Sequence, residues 1–410
     1  MNILYIAASC APNNGSEDKI GWNVPIESAK ENRVFVLTME KQRGRIEEYL
    51  VTHPMDNPRF YFVDIPRLFG VLFKGPLVSG QLNIWHKRAF KVAVEICNKE
   101  KIDIIHQITP IEFRSIGEYG RIPTTNFVCG PLGGGEKIPE GLKSYARRHK
   151  CIEFVRMLAN EWSRIRLKRS KTLERCAYLM FANRETRDYL LERIKPACQS
   201  EFASDVGLRT DELCRMEDIC TKSGDASGCR FLVVGRMVYR KGLDFLLDAL
   251  VEISPDLQYQ CRIVGSGAEL EHLRNRCAAS ERLSRHVVLS GAIPYDEIEG
   301  AYRNADVFIM PSIRETTGTV VVEAMSKGLP VIALNQFGAA TILDQEAGWL
   351  CDGTTKDEYI ESLKNAIEAC IMNPDEVRRK GENARRRAEN YSWEKKYKQY
   401  HSIYRRILKG

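Results

Sequence analysis

The sequence predicts an α/β protein made of two successive Rossmann-like, doubly wound and mostly parallel sheets. β-Branched runs alternate with amphipathic stretches in both halves of the chain, the pattern that lays helices on the faces of a parallel sheet. At 410 residues the chain exceeds one ordinary core, and its length favours two domains. Its 44% apolar and 28% charged residues suit a globular protein rather than a disordered or fibrous one, and no apolar run approaches the roughly 20 residues that a bilayer span needs. The boundaries read as 1–205 for the first domain and 206–390 for the second, with 206–228 as the linker, followed by a tail at 391–410.

In the first half, Ile3–Ala8, Arg33–Met39, Arg59–Asp64, Ile102–Gln107, Thr124–Val128 and Tyr178–Ala182 read as strands, with helical patterns such as Trp85–Lys99 and Arg184–Ile194 between them. Met1–Ala8 lacks a basic leader, so it reads as a buried first strand and not as a signal peptide. Ligands of such sheets bind beyond the carboxyl ends of the strands, and three loops therefore stand out. Pro12–Glu17 with Gly21-Trp22 is a small-residue turn that would admit a ligand to backbone N–H groups, or an ordinary loop. His106, at the end of the fourth strand, is a candidate catalytic residue set against the commoner structural histidine. Cys129–Glu136 holds Gly130, Gly133, Gly134 and Gly135, a density that points to close backbone approach by a ligand.

Between about Ser200 and Cys229 the periodicity fades into polar residues, as expected of a linker. A second series then runs through strands at Arg230–Val234, Tyr259–Val264, Val287–Leu289, Asp306–Met310, Leu329–Leu334 and near Gly348–Cys351, and the tail from Lys356 to Leu408 is helical. Gly265-Ser266-Gly267 follows a strand but lacks the third glycine of a dinucleotide fingerprint, which argues against a nicotinamide cofactor. The stretch Arg314–Glu323 reads as a loop entering a helix. Helix starts offer free N–H groups and a positive dipole end to anions, and Glu323 lies among apolar residues, where a carboxylate needs a donor such as a sugar or ribose hydroxyl. The seven histidines are scattered and show no metal-ligand spacing, so no metal is expected. The thirteen cysteines are also scattered, without Cys-x-x-Cys, which suits a reducing compartment.

Gly235-Arg236, Lys241-Gly242, the pair Glu315 and Glu323 eight positions apart, and Lys327–Ala333 occur in an order and spacing that resembles family 4 retaining glycosyltransferases of the GT-B fold. The resemblance extends more weakly to Gly15-Ser16-Glu17, Gly21-Trp22, His106 and Gly130–Gly134, and to Tyr391–Glu394. It implies two Rossmann-like domains facing each other across a cleft, with a C-terminal helix returning to the first. It further implies a donor nucleotide-diphosphate sugar, UDP- or GDP-linked, without cofactor or metal, and a saccharide or lipid-linked saccharide acceptor in cell-surface polysaccharide synthesis. By position, Arg236 and Lys241 would hold the diphosphate beside Gly235 and Gly265. Glu315 would meet the sugar and Glu323 the ribose, Gly318, Thr319 and Val320 would form the helix start under the phosphates, and Ile293 would sit in the base-reading turn. Gly15, Ser16 and Gly133 would close from the other domain. Many relatives carry a histidine where this chain has Val128-Cys129-Gly130, so that role does not transfer to His106. A sugar-nucleotide epimerase and a catalytically silent partner subunit share the architecture.

The net charge of +7 is concentrated. Lys143 to Lys171 holds ten Lys and Arg against Glu153 and Glu161, interleaved with apolar residues. For 142–171 two readings stand side by side: a solvated helix face, and contact with an anionic membrane surface or a phosphorylated acceptor. The membrane reading implies a cytoplasmic protein held peripherally on the inner membrane face. Nucleic acid is disfavoured, because no interleaved aromatic platform accompanies the charge.

Overall fold

The computed structural model describes residues 1–12, 16–65, 78–216 and 228–409. They form two compact units: 1–136 with 151–207 and 393–410, and 137–150 with 208–392.

The first unit is a parallel seven-stranded sheet of β1 (Asn2–Ala7), β2 (Arg33–Met39), β3 (Arg59–Val63), β4 (Ile104–Thr109), β5 (Asn126–Leu132), β6 (Tyr178–Phe181) and β7 (Gln199–Phe202), in the order β3-β2-β1-β4-β5-β6-β7. Central strand β1 is apolar without alternation because both faces are covered; Ile3, Leu4, Tyr5, Ile6 and Ala7 are all fully buried. The helices are α1 (Ser16–Ala29), α2 (Arg43–Thr52), α3 (Val78–Lys99), α4 (Lys150–Ser170) and α5 (Arg184–Leu191).

Three expectations are corrected here. The turn expected through Gly21-Trp22 is helix α1, in which a Cβ on Gly21 would lie 1.9 Å from the Ser9 carbonyl oxygen; that glycine serves helix-to-loop packing. The region taken as linker begins with strand β7, whose short polar sequence Gln-Ser-Glu-Phe is mostly exposed and carries no buried-strand signature. Segment 137–150, placed in the first domain from sequence, folds into the second unit, where Ile138, Leu142 and Ala146 join its core. Residues 217–227 of the expected linker lie outside the described residues.

The second unit is a parallel six-stranded sheet of β8 (Cys229–Val234), β9 (Tyr259–Val264), β10 (Val287–Gly291), β11 (Val307–Met310), β12 (Val331–Leu334) and β13 (Gly348–Cys351), in the order β10-β9-β8-β11-β12-β13. Its helices are α6 (Leu243–Val251), α7 (Leu270–Ala278), α8 (Glu281–His286), α9 (Tyr295–Arg303), α10 (Thr319–Ser326), α11 (Phe337–Ile342), α12 (Lys356–Met372) and α13 (Pro374–Ala388). The chain winds outward from β8 through β9 to β10, then resumes on the other side at β11. The loops after β8 and β11 therefore part at the switch point, where open α/β sheets hold ligands.

The last helix, α14 (Trp393–Lys409), returns to the first unit. Trp393, Tyr397, Tyr400 and Tyr404 recur at helical spacing and are buried, so one stripe of the helix closes the core on β1 and β4.

Candidate functional site

At the switch point of the second unit, a crevice is lined by Val234, Gly235, Arg236, Lys241, Met310 and Ser312. After β8 the chain makes a tight turn, Tyr239–Lys241, ended by Gly242 at φ +68. A Cβ on Gly242 would lie 2.0 Å from the Pro311 carbonyl oxygen, so only glycine lets the turn close on the loop after β11. Two main-chain bonds stitch the loops: the N–H groups of Ile313 and Arg314 donate to the Arg240 carbonyl at 3.0 and 3.3 Å. Across this seam Lys241 donates to Glu315 Oε2, and Arg240 Nη1 lies 3.3 Å from the same oxygen. Burial pushes the Glu315 carboxyl up, but the charges of Lys241 and Arg240, with the hydrogen bonds of Lys241 and the Thr316 N–H, outweigh it and hold the group below the ordinary carboxylate range. Arg236 is exposed at the mouth and makes no ion pair among the described residues. Beside the crevice stand one half-buried, ionised carboxylate and three cations, a set suited to a polyanion.

The remaining residues expected in the second unit lie at the ends of β9 and β10 and at the start of α10. Gly318, at φ +86, caps α10, whose first residues Thr319 and Val320 are half-buried. Glu323, one turn further, is also half-buried and accepts a hydrogen bond from the Tyr302 hydroxyl at 3.2 Å; this donor was not expected from sequence. Gly235, Gly265 and Gly291 end the adjacent strands β8, β9 and β10. The Gly265 N–H donates to the Gly291 carbonyl at 2.8 Å, and a Cβ on Gly265 would lie 1.9 Å from the Gly235 carbonyl oxygen. Gly265 is therefore required by chain-to-chain contact. Ile293 is half-buried in the turn that follows.

The first unit treats its expected site residues differently. Gly15 lies outside the described residues, and Ser16 opens α1. Gly133 is buried with both main-chain groups engaged, its N–H donating to the Ile111 carbonyl and its carbonyl accepting from Phe113. The Gly134 N–H donates to Glu136 Oε1 at 2.9 Å and the Gly135 N–H to Thr186 Oγ1 at 3.1 Å. The glycine density was expected to admit a ligand; it admits the chain's own Glu136 and Thr186 instead. His106 was expected at a strand end facing substrate, but it lies within β4 and is fully buried. Its Nδ1 is 2.6 Å from the Tyr404 hydroxyl, and its Nε2 is 2.7 Å from the Gly130 carbonyl, to which the ring N–H donates. Burial lowers its pKa to about 4. A neutral ring closed off by α14 has no route to a substrate.

Against known proteins, residues 227–387 match the family "Glycosyl transferases group 1". Over this segment the chain resembles a group 1 glycosyl transferase domain. The chain is 31% identical over 229 residues to the GDP-mannose-dependent alpha-(1-6)-phosphatidylinositol monomannoside mannosyltransferase of Mycolicibacterium smegmatis, a match covering 52% of this chain and 58% of that protein. It is 33% identical over 187 residues to the D-inositol 3-phosphate glycosyltransferase of Corynebacterium urealyticum, covering 42% of each. The chain spans about half the length of the curated relatives it matches. Sucrose-phosphate synthase of Thermosynechococcus elongatus has the same fold, with a TM-score of 0.64 at 21% identity over 99% of both chains. So does HepE of Anabaena, solved with UDP and glucose, with a TM-score of 0.61 at 16% identity over 98% of this chain and 99% of that one. The fold is GT-B.

Beyond the matched transferase domain, the strap 137–150 carries residues that sequence reasoning missed. The His149 ring stacks on Tyr239 with centroids 4.1 Å apart, His149 Nε2 lies 3.2 Å from Glu269, and the Tyr145 hydroxyl donates to Asp248 at 2.6 Å. Tyr239 in turn accepts from Arg314 at 3.3 Å. The strap thus braces the turn that holds Arg240 and Lys241, and no local pattern marks a pairing between residues so far apart in sequence. Asp244, Glu269 and His272 also converge closely enough to hold a metal ion, a grouping that the sequence spacing concealed. Arg276 and Arg148 pair with Asp244 and His272, and so much positive charge makes the group a salt-bridge network.

Proposed function

We propose that the protein is a retaining, metal-independent glycosyltransferase that moves a sugar from a nucleotide-diphosphate sugar to a saccharide or lipid-linked saccharide acceptor in cell-surface polysaccharide synthesis. The observation that carries this reading is the Lys241–Glu315–Arg240 cluster at the switch point, with Arg236 at its mouth and the start of α10 beside it. Arg236 and Lys241 would neutralise the diphosphate as the bond from the sugar's anomeric carbon to the phosphate oxygen breaks. The N–H groups at Thr319 and Val320 add the positive end of α10. Glu323 would exchange its bond from Tyr302 for ribose hydroxyls, and Glu315, kept ionised by its cations, would meet the sugar. The acceptor oxygen would form the new bond on the face that the phosphate leaves, giving its proton to the departing phosphate oxygen. Nothing in that sequence asks for His106. Gly15 and Ser16 remain proposed donor contacts from the first unit; Gly133, with both backbone groups engaged, is set aside.

The names of the relatives, one GDP-mannose-dependent and one solved with UDP and glucose, support a donor of this class. A UDP- or GDP-sugar is proposed, with the protein cytoplasmic and peripheral on the inner membrane face. Thermal shift against a panel of nucleotide sugars tests the reading, because a bound donor stabilises the folded state by mass action. The expected result is a rise in Tm with one donor and, with acceptor present, product that keeps the anomeric configuration of the donor. No shift with any donor would overturn it, and an epimer formed from donor alone would assign the epimerase activity instead.

A further inference from the structure

Helix α4 is turned inside out. A surface helix ordinarily buries its apolar stripe and exposes its polar one, yet here the inward face is polar. Arg156 donates to the carbonyls of Gly134 and Glu136, Asn160 to that of Gly134, and Arg164 to the Tyr189 carbonyl and to Glu161 and Glu192. Apart from Leu167, which is buried in the core, the large apolar residues point outward. Of the fourteen large hydrophobic side chains exposed among the described residues, seven fall on this helix, so they form a patch rather than the scatter of single residues normal on a surface. Phe154, Leu158, Trp162 and Ile165 recur at helical spacing along one stripe and are 56, 51, 63 and 45% exposed. At the helix end Lys168, Arg169 and Lys171 are exposed and make no ion pair among the described residues. The basic stretch seen in sequence is also divided by the fold, since 142–149 packs into the second unit and α4 alone presents an open face.

We infer that this face of α4 docks in the plane of an anionic lipid bilayer, with Phe154, Leu158, Trp162 and Ile165 entering the acyl boundary and Lys168, Arg169 and Lys171 meeting the headgroups. The apolar stripe includes a well-exposed tryptophan, as interfacial helices do, and its flanking charge complements anionic lipid rather than another basic surface. No helix among the described residues is long and apolar enough to cross a membrane, so attachment through this face is peripheral. The inference deepens the proposed membrane location, but it does not depend on the donor or on turnover.

The test is cosedimentation of the full chain with vesicles of phosphatidylcholine alone or with about 30% phosphatidylglycerol, at about 0.05 M and about 0.5 M salt. Expected is binding to the anionic vesicles that weakens by about tenfold or more at high salt. Phe154→Ser with Trp162→Ser should lose roughly tenfold at low salt, and Lys168→Glu with Arg169→Glu should abolish the preference for anionic lipid. All four side chains are exposed, so the variants should keep the wild-type Tm, which is measured alongside. No vesicle binding at low salt, or binding indifferent to Phe154→Ser/Trp162→Ser, overturns the inference. So does a dimer in sedimentation equilibrium that the same pair abolishes, since that assigns the face to a second copy. Nucleotide-sugar thermal shifts on these variants keep this outcome separate from the fate of the proposed activity.

Discussion

His106 and Lys241 occupy corresponding places, each beside the switch point of a parallel sheet: His106 on β4 next to β1, and Lys241 in the turn after β8 facing the loop after β11. They end in opposite environments. Over His106 lies α14, whose Tyr400 and Tyr404 rings meet the imidazole edge-on at 5.2 and 5.8 Å between centroids, and the ring is fully buried. Lys241 lines a crevice and pairs with Glu315. A polar residue near a strand end becomes site or core according to what the chain later lays across it. In the first unit that cover is supplied some 290 residues downstream.

The comparison predicts its own sharpest break. Lys241→Ala should lower kcat by about 10²–10³, the loss typical of removing one preorganised group that stabilises charge in the transition state, with only a modest fall in Tm because Arg240 still faces Glu315; steady-state kinetics with the donor found by the panel measures it. His106→Leu should do the reverse. Two buried hydrogen bonds go, at about 1–3 kcal/mol for each partner left unsatisfied, so denaturant midpoints should fall while kcat per folded molecule holds. A large loss of kcat with intact stability would restore a catalytic His106.

The same histidine has a pH signature. Its folded pKa, lowered to about 4, lies below its unfolded value of about 6.5, so its stabilising contribution is complete above about pH 6.5 and is lost as pH falls towards 4. Buried His86, lowered to about 3, acts in the same sense. Thermal melts of His106→Gln across this range should therefore show a shallower acid slope than wild type, though not a flat one. An unchanged slope would mean that the ring is charged when folded.

Smaller effects sharpen the other side. Glu323→Gln should weaken donor binding about tenfold, or about 1.4 kcal/mol, as read by calorimetry. His149→Ala, which unstacks Tyr239 without touching the crevice, should raise the donor KM roughly threefold and leave kcat nearly unchanged. An equal loss in kcat would move His149 from bracing the turn into the chemistry.

The residues of the second unit's crevice were legible in the sequence because nearly all of them sit on two local strand–loop–helix pieces, Arg230–Leu250 and Asp306–Lys327. Order and spacing within such pieces survive as pattern. Arg240 was passed over beside Lys241 because side-chain direction in a tight turn is not periodic. Glycines were the least readable signal. Gly133, Gly134 and Gly135 looked like ligand-facing backbone, yet a glycine made necessary by a neighbouring segment leaves the same mark as one made necessary by a substrate.

From the sequence alone came the two parallel-sheet units, the strands of both sheets save β7, and the choice of Arg236, Lys241, Glu315 and Glu323 as site candidates, since hydrophobic period and local spacing encode them. Tertiary structure alone decided that His106 is core, that 137–150 serves the second unit, that Tyr302 partners Glu323, and that α4 wears its apolar side outward. Each of those outcomes depends on which distant segment covers a given surface, and burial of that kind is a property of the assembled chain, invisible in any window of its residues.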